Sequence, residues 1–365
     1  MNSQDSDLWT QHLIPELAKA LESTGPWLRV EESRKGGWYC LHGQSGENAT
    51  KWYHLSEKGK LKEQHPLEDS RLPALSSVIN HWITNGISVE LLAWRLGSRA
   101  IFRLGDNCFA KVFRKNRQVL ERWQYLSKKS PDNSISIPEI THWDDKNLVL
   151  TVKEAQGKSL NELWKSGQWD STHIDSIVDI LSWLAKSEAE NTLPTHSAKD
   201  EIKILQKRDE VFHRILAAPP TGVKRLVDTV IERLKSLNEI PPVVCHRDFH
   251  DKQVLISEST VTLLDLDLLA ISDPALDAGN IIAHLRLRSL QGLPVPWLEC
   301  ASRISNMLAQ SGIPGERLKT WTASTFARLL LIYSRRQRPS DLLQKIEEDL
   351  EELLMGTGKW QGVFK

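Results

Sequence analysis

The stretch that decides the fold is PVVCHRDFHDKQVL at residues 242–255, followed closely by VTLLDLD at residues 261–267. Each contains a short apolar run that is typical of a buried strand, and each run ends in polar or charged residues. The pattern predicts that Asp248, Gln253 and Asp265, separated by five and twelve positions, lie at the mouths of adjacent short strands. An apolar strand hairpin would therefore bring two carboxylates and one amide oxygen to a single point.

Carboxylate and amide oxygens are ligands that Mg²⁺ prefers, and nucleotide phosphates often complete its coordination. A carboxylate at the end of a buried strand needs charge compensation, which such an ion would supply. The motifs therefore suit a Mg²⁺-nucleotide site for phosphoryl transfer. Asp267 lies on the same side of the predicted strand as Asp265, so a second metal ligand and a structural residue are equally open interpretations.

The composition argues against several classes of partner. The 365-residue chain has 47 basic and 47 acidic residues, so no overall field attracts nucleic acid or an anionic membrane. Its four cysteines are far apart and form no CxxC pair, which favours a reduced, cytoplasmic protein with free thiols. We expect neither a signal peptide nor a membrane span. A monomer and a homodimer both remain open.

Hydrophobic periodicity divides the chain into three predicted segments. Residues 1–87 form an N-terminal extension, residues 88–155 form a β-rich segment that ends in a polar hinge, and residues 156–365 are mostly helical. The predicted elements of the first two segments are a helix at 7–23, three strands within 27–56, a helix at 72–84, three antiparallel strands within 88–114, a helix at 115–128 and a strand at 147–152. The fold class is therefore α+β.

This order of features resembles the aminoglycoside phosphotransferase and choline kinase group of protein-kinase-like small-molecule kinases, which includes maltokinase. HRDFHDKQVL at 246–255 is similar to that family's HGDxHxxNxL loop, and LLDLDLLAISDPALDAGN at 263–280 to its aliphatic-Asp…DPxxD stretch. The resemblance covers about residues 90–340. It implies a protein-kinase-like bilobal fold, with an antiparallel β-sheet N-lobe, a mostly helical C-lobe and an extra N-terminal cap. It also implies ATP and Mg²⁺ as cofactors and a small-molecule hydroxyl as acceptor.

The resemblance gives each motif residue a role. Asp248 matches the catalytic aspartate, which accepts or orients the proton of the acceptor hydroxyl, and Asp265 matches the metal-binding aspartate. Gln253 stands where the family usually has Asn, and it supplies the same neutral oxygen on a stem one methylene longer. Arg247 replaces a commoner Gly and is expected to be structural. Only seven residues separate Asp265 from Asp273, which leaves no room for the activation loop that such an arginine reads in protein kinases.

The resemblance also implies a set of nucleotide-binding residues: Lys111 for the α- and β-phosphates with Glu121 as its partner, the turn Gly97, Ser98 and Arg99 over the phosphates, and Glu154 and Ala155 beside adenine. The turn would donate backbone N–H groups. Any hairpin has such a turn, and this one lacks a GxGxxG sequence.

Other acidic and histidine residues near the motifs have structural interpretations. Asp273 and Asp277 are expected to turn the chain and start a helix, with Asp277 bracing the catalytic loop. His246 and His250 are interpreted as scaffold residues, although His250 followed by Asp251 spells the pair used by metal phosphohydrolases.

Two other functional classes stay open at this point. VTLLDLDLL at 261–269 is similar to the hhhhDxD strand of haloacid-dehalogenase-type phosphatases, in which the first Asp is the nucleophile. Gln253 and the unusual phosphate turn would also fit a kinase-like module that binds a nucleotide or metabolite without turnover.

The acceptor is predicted to be a sugar, an amino sugar or an aminoglycoside-like compound. Candidate partners for an amino sugar are Glu188, Glu190 and Asp277, which fit helix faces or caps equally well. Candidate contacts from the extension are Trp27, Trp38 and Trp52, for which packing is the alternative.

Overall fold

The computed structural model describes residues 8–22, 26–33, 36–43, 51–105, 107–115, 118–129, 134–258, 260–336, 338–339 and 341–364. The chain forms two compact units. The first comprises Met1–Lys128 and Ile137–Ala155, and the second comprises Lys129–Ser136 and Gln156–Lys365. The N-terminal extension and the strands that follow it therefore belong to one unit.

The extension begins with a 3₁₀ helix over Leu8–His12 and an α-helix, α1, over Pro15–Glu22. The single helix predicted at 7–23 is wrong in this respect, because Pro15 lacks a backbone N–H and starts a new helix. An antiparallel sheet follows, with strands β1 (Trp27–Glu32), β2 (Trp38–His42), β3 (Lys51–Leu55) and β4 (Leu61–Gln64) in that order. The predicted three-stranded meander is confirmed, and β4 extends it by a short, polar fourth strand.

The remaining elements of the first unit are α2 (Leu75–Thr84), β5 (Val89–Arg95), β6 (Arg99–Leu104), β7 (Cys108–Phe113), α3 (Val119–Ser127), β9 (Ile140–Asp144) and β10 (Val149–Lys153), whereas β8 (Ile135–Ser136) belongs to the second unit. The five strands form one antiparallel sheet in the order β5-β6-β7-β10-β9. Apolar residues of α2, including Trp82, pack on Phe102 and Val112. Because side chains alternate along a strand, Lys111 of β7 lies on the opposite face of this sheet.

The second unit is mostly helical. Its further elements are β11 (Lys158–Ser159), α4 (Leu160–Ser166), α5 (Thr172–Lys186), β12 (Thr195–His196), α6 (Ala198–Ile215), α7 (Thr221–Lys235), β13 (Val243–Cys245), β14 (Val254–Ile256), β15 (Val261–Leu263), β16 (Ala270–Ser272), α8 (Leu276–Leu290), α9 (Trp297–Gln310), α10 (Gly315–Tyr333) and α11 (Leu342–Met355). None of the helices in the described ranges has the length and apolar character needed to cross a bilayer. The four cysteines are free, as predicted.

The short strands of the second unit form two separate sheets, in the orders β11-β14-β15-β8 and β12-β16-β13. The predicted hairpin of β14 and β15 is confirmed. However, β13 pairs with β16, so the two strands of the stretch 242–255 do not pair with each other. The polar loop at 246–253 therefore connects two sheets, a relationship that hydrophobic periodicity alone cannot predict.

Candidate active site

The side chain of His246 links the loop at 246–253 to the end of β15. Its Nε2 lies 2.7 Å from the carbonyl oxygen of Leu264, and the N–H of Asp248 lies 3.3 Å from its Nδ1. Because a carbonyl only accepts, Nε2 donates and Nδ1 accepts, which assigns the Nε2–H tautomer. His246 thus ties Asp248 to the residue before Asp265.

Gln253 lies beside the same point. The N–H of Leu264 donates to the carbonyl oxygen of Gln253 at 2.8 Å, which continues the β14–β15 pairing by one step. Gln253 and Asp265 are consequently at the same end of this hairpin. The backbone brings Asp248, Gln253 and Asp265 together around His246 and Leu264.

Asp265 and Asp267 do not belong to the preceding strand. Strand β15 ends at Leu263, Asp265 adopts a left-handed conformation with φ 58° and ψ 58°, and Asp267 lies in a 3₁₀ helix over Leu266–Leu268. The prediction that the two carboxylates share one side of a strand is therefore wrong. Aspartate is among the few side chains that adopt this conformation readily, so the chain turns here at modest cost.

One face of α8 holds the loop at four points, through Asp277, Asn280, His284 and Arg288. The carboxylate of Asp277 accepts the N–H groups of His246 and Arg247 at 2.5 and 2.7 Å, which confirms its predicted bracing role. Burial raises the pKa of Asp277. The Asn280 side-chain amide donates to the carbonyl of Arg247 at 3.0 Å. Three consecutive peptide units at the start of the loop are thus fixed by the first turns of this helix.

Arg288 fixes the far end of the loop. It donates to both carboxylate oxygens of Asp251, at 2.9 and 3.2 Å, and Asn161 donates to the same carboxylate at 2.5 Å. Burial lowers the pKa of Arg288, but its bonds and attraction to Asp251 outweigh burial and raise it. Asp251 is therefore committed to the scaffold, which rules against the interpretation of His250 and Asp251 as a metal-binding pair. In the residues that the structure describes, no group of three or more His, Cys, Asp or Glu side chains is placed to hold a metal ion.

His250 and His284 stack with their ring centroids 4.8 Å apart. Burial lowers the pKa of both imidazoles, which favours the neutral forms that can stack without charge repulsion. His250 also meets the side chain of Gln253, because its Nε2 lies 3.4 Å from the Gln253 amide nitrogen. The Nδ1 of His250 accepts the N–H of Lys252, so its Nε2–H would pair better with the Gln253 oxygen. His250 and a cation would therefore compete for that oxygen.

Arg247 has a left-handed backbone with φ 70°. This conformation explains why a Gly suits the position, since Gly adopts it without steric cost. Three hydrogen bonds from α8 hold Arg247 and its neighbour His246 in place. Burial lowers the pKa of the Arg247 guanidinium, and its Nε is buried without a hydrogen-bond partner among the described residues.

Asn280 connects Arg247 to a buried polar cluster. Its side-chain oxygen accepts from Arg328 at 2.6 Å and from Thr325 at 2.7 Å. Arg328 also binds Glu201 at 3.0 Å. Burial alone would raise the pKa of Glu201, but Arg328 and His196 outweigh it and lower the pKa to about 2. Glu201 is therefore held as a carboxylate.

In the first unit, Lys111 pairs with Ile101 and Leu150 across the sheet. Its Nζ lies 5.6 Å from the centroid of the Trp123 ring, within range of a cation–π interaction. Glu121 lies on the same helix, α3, two residues before Trp123, and is exposed. The pairing of Glu121 with Lys111 stays a prediction.

The backbone donors of the turn between β5 and β6 have acceptors within the first unit. The N–H of Gly97 donates to the carboxylate of Asp69 at 2.7 Å, and the N–H of Ser98 donates to the carbonyl of Arg95 at 2.9 Å. Both N–H groups already have acceptors within the first unit, and a role of this turn over the phosphates stays a prediction. Arg99 is the first residue of β6 and pairs with Phe113, which places it on the Lys111 face of the sheet.

The predicted adenine-binding backbone is only partly available. The N–H of Glu154 donates to the carbonyl of Asn107 at 2.8 Å, and the Glu154 carboxylate accepts from Arg103 at 3.1 Å. Glu154 therefore lacks a free backbone donor. Ala155 is the remaining donor for a base in the predicted pair, and this role stays a prediction.

Several predicted substrate contacts have structural partners. Glu188 and Glu190 lie 3.9 and 3.3 Å from the Lys129 ammonium. Trp27 and Trp52 are buried, and Trp52 donates to the carbonyl of Trp94 at 2.8 Å, which favours packing over substrate contact. Trp38 is half-buried in β2.

Sequence reasoning missed the roles of Asn161, Asn280, His284 and Arg288. The last three had a visible signal, because with Asp277 they form a polar line at helical spacing in a largely apolar segment. Asn161 gave none, because it comes near the loop only through the tertiary fold.

Comparison with known proteins supports a common origin of this site. The family model described as "Phosphotransferase enzyme family" matches residues 109–295, which include Lys111 and both motifs. No curated protein matches the chain. Among solved structures, a choline/ethanolamine kinase family protein from Mesorhizobium loti has a TM-score of 0.51 and 17% identity, over 76% of this chain and 91% of that one.

Two aminoglycoside phosphotransferase structures are also similar. The GDP complex of aminoglycoside 2'-phosphotransferase-IIIa has a TM-score of 0.51 and 16% identity, over 79% of this chain and 99% of that one. A thermostable mutant of aminoglycoside phosphotransferase APH(4)-Ia, in ternary complex with AMP-PNP and hygromycin B, has a TM-score of 0.54 and 12% identity, over 78% and 99%. At these identities the likeness establishes the protein-kinase-like α+β fold.

Proposed function

Because this chain belongs to the phosphotransferase enzyme family, we propose that it transfers the γ-phosphoryl group of ATP to a hydroxyl of a small polar molecule, with Mg²⁺ as the metal. Phosphoryl transfer depends mostly on positioning and on stabilising the charge of the phosphates. In this proposal Lys111 binds the phosphates and Asp248 orients the acceptor hydroxyl. A cytoplasmic location, and a monomer or homodimer, remain predictions.

The observation that carries the proposal is the convergence of Asp248, Gln253 and Asp265 around His246. The donor set fits Mg²⁺, because a carboxylate of Asp265 and the side-chain oxygen of Gln253 are both hard oxygen ligands. Mg²⁺ would neutralise the phosphates when bound. Asp267 is a further candidate ligand at the same turn. The competition between His250 and a cation for the Gln253 oxygen leaves Asp265 as the principal ligand.

The fold removes one alternative. Strand β15 lies in a small mixed sheet between β14 and β8, and Asp265 follows it in a left-handed turn. A haloacid-dehalogenase-type phosphatase would instead need its nucleophile at the end of a strand in a parallel, Rossmann-like sheet. A kinase-like module that binds without turnover remains the second candidate. Two features favour such a binding module. Gln253 stands where the family usually has Asn, and the backbone N–H groups of Gly97 and Ser98 already have acceptors.

The decisive experiment is a coupled ADP-release assay over sugars, sugar acids, amino sugars, aminoglycosides, choline-like alcohols and nucleosides. The wild type is compared with Asp248→Ala and with Asp228→Ala, a control at an exposed position of α7. We expect Asp248→Ala to retain ATP binding and to lower turnover by a factor on the order of 10³, while Asp228→Ala behaves as the wild type. Near wild-type turnover by Asp248→Ala would contradict the mechanism, and nucleotide-induced thermal shifts without any turnover would favour the binding module.

A further inference from the structure

Arg247, the residue before the proposed catalytic Asp248, is energetically unfavourable in two respects, its backbone conformation and the burial of its side chain. Its backbone is held at φ 70°, where a side chain is strained and Gly is not. Its guanidinium is also largely desolvated, with Nε buried and without a partner among the described residues. Its Nη1 makes one long contact, 3.5 Å from the carbonyl of Leu268. A Gly would avoid both costs, so the arginine side chain requires an explanation beyond packing.

The carboxylates that act electrostatically on Arg247 are Glu201, Asp277 and Asp200. Each has its own donors. Glu201 binds Arg328 and His196, and Asp277 accepts the two loop N–H groups. Asp200 accepts from the hydroxyl of Ser197 and from Lys203. In the described part of the chain, none of the three forms an ion pair with the Arg247 guanidinium.

The other acidic side chain of the catalytic loop is also committed, because Asp251 is held by Arg288 and Asn161. A positively charged acceptor would therefore find no uncommitted carboxylate on this loop except Asp248 itself. Arg247, in contrast, carries a positive charge on a guanidinium whose only hydrogen bond among the described residues is the long Nη1 contact with Leu268. Guanidinium groups bind carboxylates and phosphates through paired N–H donors.

We propose that Arg247 binds an anionic group, a carboxylate or a phosphate, on the acceptor whose hydroxyl Asp248 orients. This inference rests on the proposed function and narrows its acceptor from polar hydroxyl compounds in general to acidic ones. It makes Arg247 a specificity-determining residue, in place of the structural role that the sequence predicts. An amino sugar or aminoglycoside is correspondingly disfavoured.

The first test compares acceptors that share one ring and differ in one group: glucose, glucosamine, glucuronate and glucose 6-phosphate. Wild-type kcat/KM should be at least about tenfold higher for an anionic member than for glucosamine. Arg247→Gly should lower kcat/KM for the anionic acceptor by about 10- to 100-fold, mostly through KM, with the KM for ATP unchanged. The variant should fold, because Gly relieves the strain at φ 70°. An equal loss with every acceptor, or a preference for glucosamine, would overturn the proposal.

The second test needs no turnover and uses sulfate as an anion probe. Thermal unfolding of the wild type, Arg247→Gly and Arg225→Gln is measured in sulfate and in chloride at equal ionic strength. Arg225 is exposed on α7, so its variant controls for the loss of one positive charge. Sulfate should stabilise the wild type and Arg225→Gln equally and Arg247→Gly less. Equal stabilisation of all three would overturn the proposal, even if the ADP assay showed that the protein is no kinase.

Discussion

The carboxylate of Asp69 accepts a 2.7 Å hydrogen bond from the backbone N–H of Gly97. The same carboxylate oxygen accepts from the indole N–H of Trp94 at 3.0 Å, and the other accepts from the N–H of Arg71 at 3.1 Å. Asp69 belongs to the N-terminal extension and lies before the residues that the family model matches. The extension therefore fixes the conformation of the β5–β6 turn.

We expect Asp69→Ala to destabilise the first unit by about 1–3 kcal/mol, because it leaves buried donors without an acceptor. Hydrogen exchange at the amide of Gly97 should accelerate, because the amide loses its acceptor. Trp94→Phe is the matched control: it removes one donor to Asp69 and should leave the Gly97 amide protected. Unchanged exchange at Gly97 in Asp69→Ala would contradict the assignment.

The buried pair of Arg288 and Asp251 predicts strong coupling in a double-mutant cycle. Arg288→Met alone should cost about 3–5 kcal/mol in urea denaturation, because it leaves a buried carboxylate without its cation. The double variant Arg288→Met with Asp251→Leu should cost much less than the sum of the two single variants. Additive costs would show that the two side chains do not act as a pair.

The carboxylate of Glu201 predicts a loss of stability in acid. Its neighbours lower its pKa from the ordinary 4.5 of a glutamate to about 2 in the folded protein, so its contribution to stability is complete above pH 4.5. The contribution is lost as the pH falls from about 4.5 to about 2, and it amounts to a few kcal/mol at most. Denaturation between pH 6 and pH 3 should show a shallower decline for Glu201→Gln than for the wild type. Parallel declines would exclude Glu201 as a source of the acid sensitivity.

A metal role for Gln253 predicts a change in magnesium requirement. Gln253→Ala should raise the Mg²⁺ concentration for half-maximal ADP release by about tenfold, because one oxygen ligand is lost. Gln253→Asn should retain most of the wild-type requirement, since it keeps the amide oxygen. Gln168→Ala, at an exposed position after α4, serves as the control. The same Mg²⁺ requirement in all three variants would exclude Gln253 as a ligand.

The sequence predicted those parts of the fold that depend on local pattern. The three strands that lead to Lys111 and the β14–β15 hairpin have clear apolar runs bounded by turn residues, and the structure confirms them. Strand β4 was missed because Leu61–Gln64 has one apolar residue and forms only against β3. The partner of β13 was missed because the sequence does not show which of several short strands meet.

In the site, too, features that depend on local sequence are predictable and features that depend on tertiary contacts are not. Asp248 and Asp265 belong to recognisable sequence motifs. Asp69, in contrast, accepts the N–H of Gly97 from 28 positions away, and no local sequence pattern indicates that contact. The left-handed backbone of Arg247 was not predicted, because nothing in an Arg-Asp sequence indicates a positive φ. Contacts between distant segments decide both features, so only the tertiary structure reveals them.

The four attachments along α8 have a mechanical consequence. Asp277 and Arg288 are eleven positions apart, which corresponds to roughly 16 Å of a stiff helical rod. The loop at 246–253 contacts α8 at both of its ends and between them. A displacement of α8 would therefore move the loop as a rigid body and preserve its internal geometry. A substitution inside the loop, in contrast, leaves the remaining contacts with α8 in place, so we expect its structural effect to stay local.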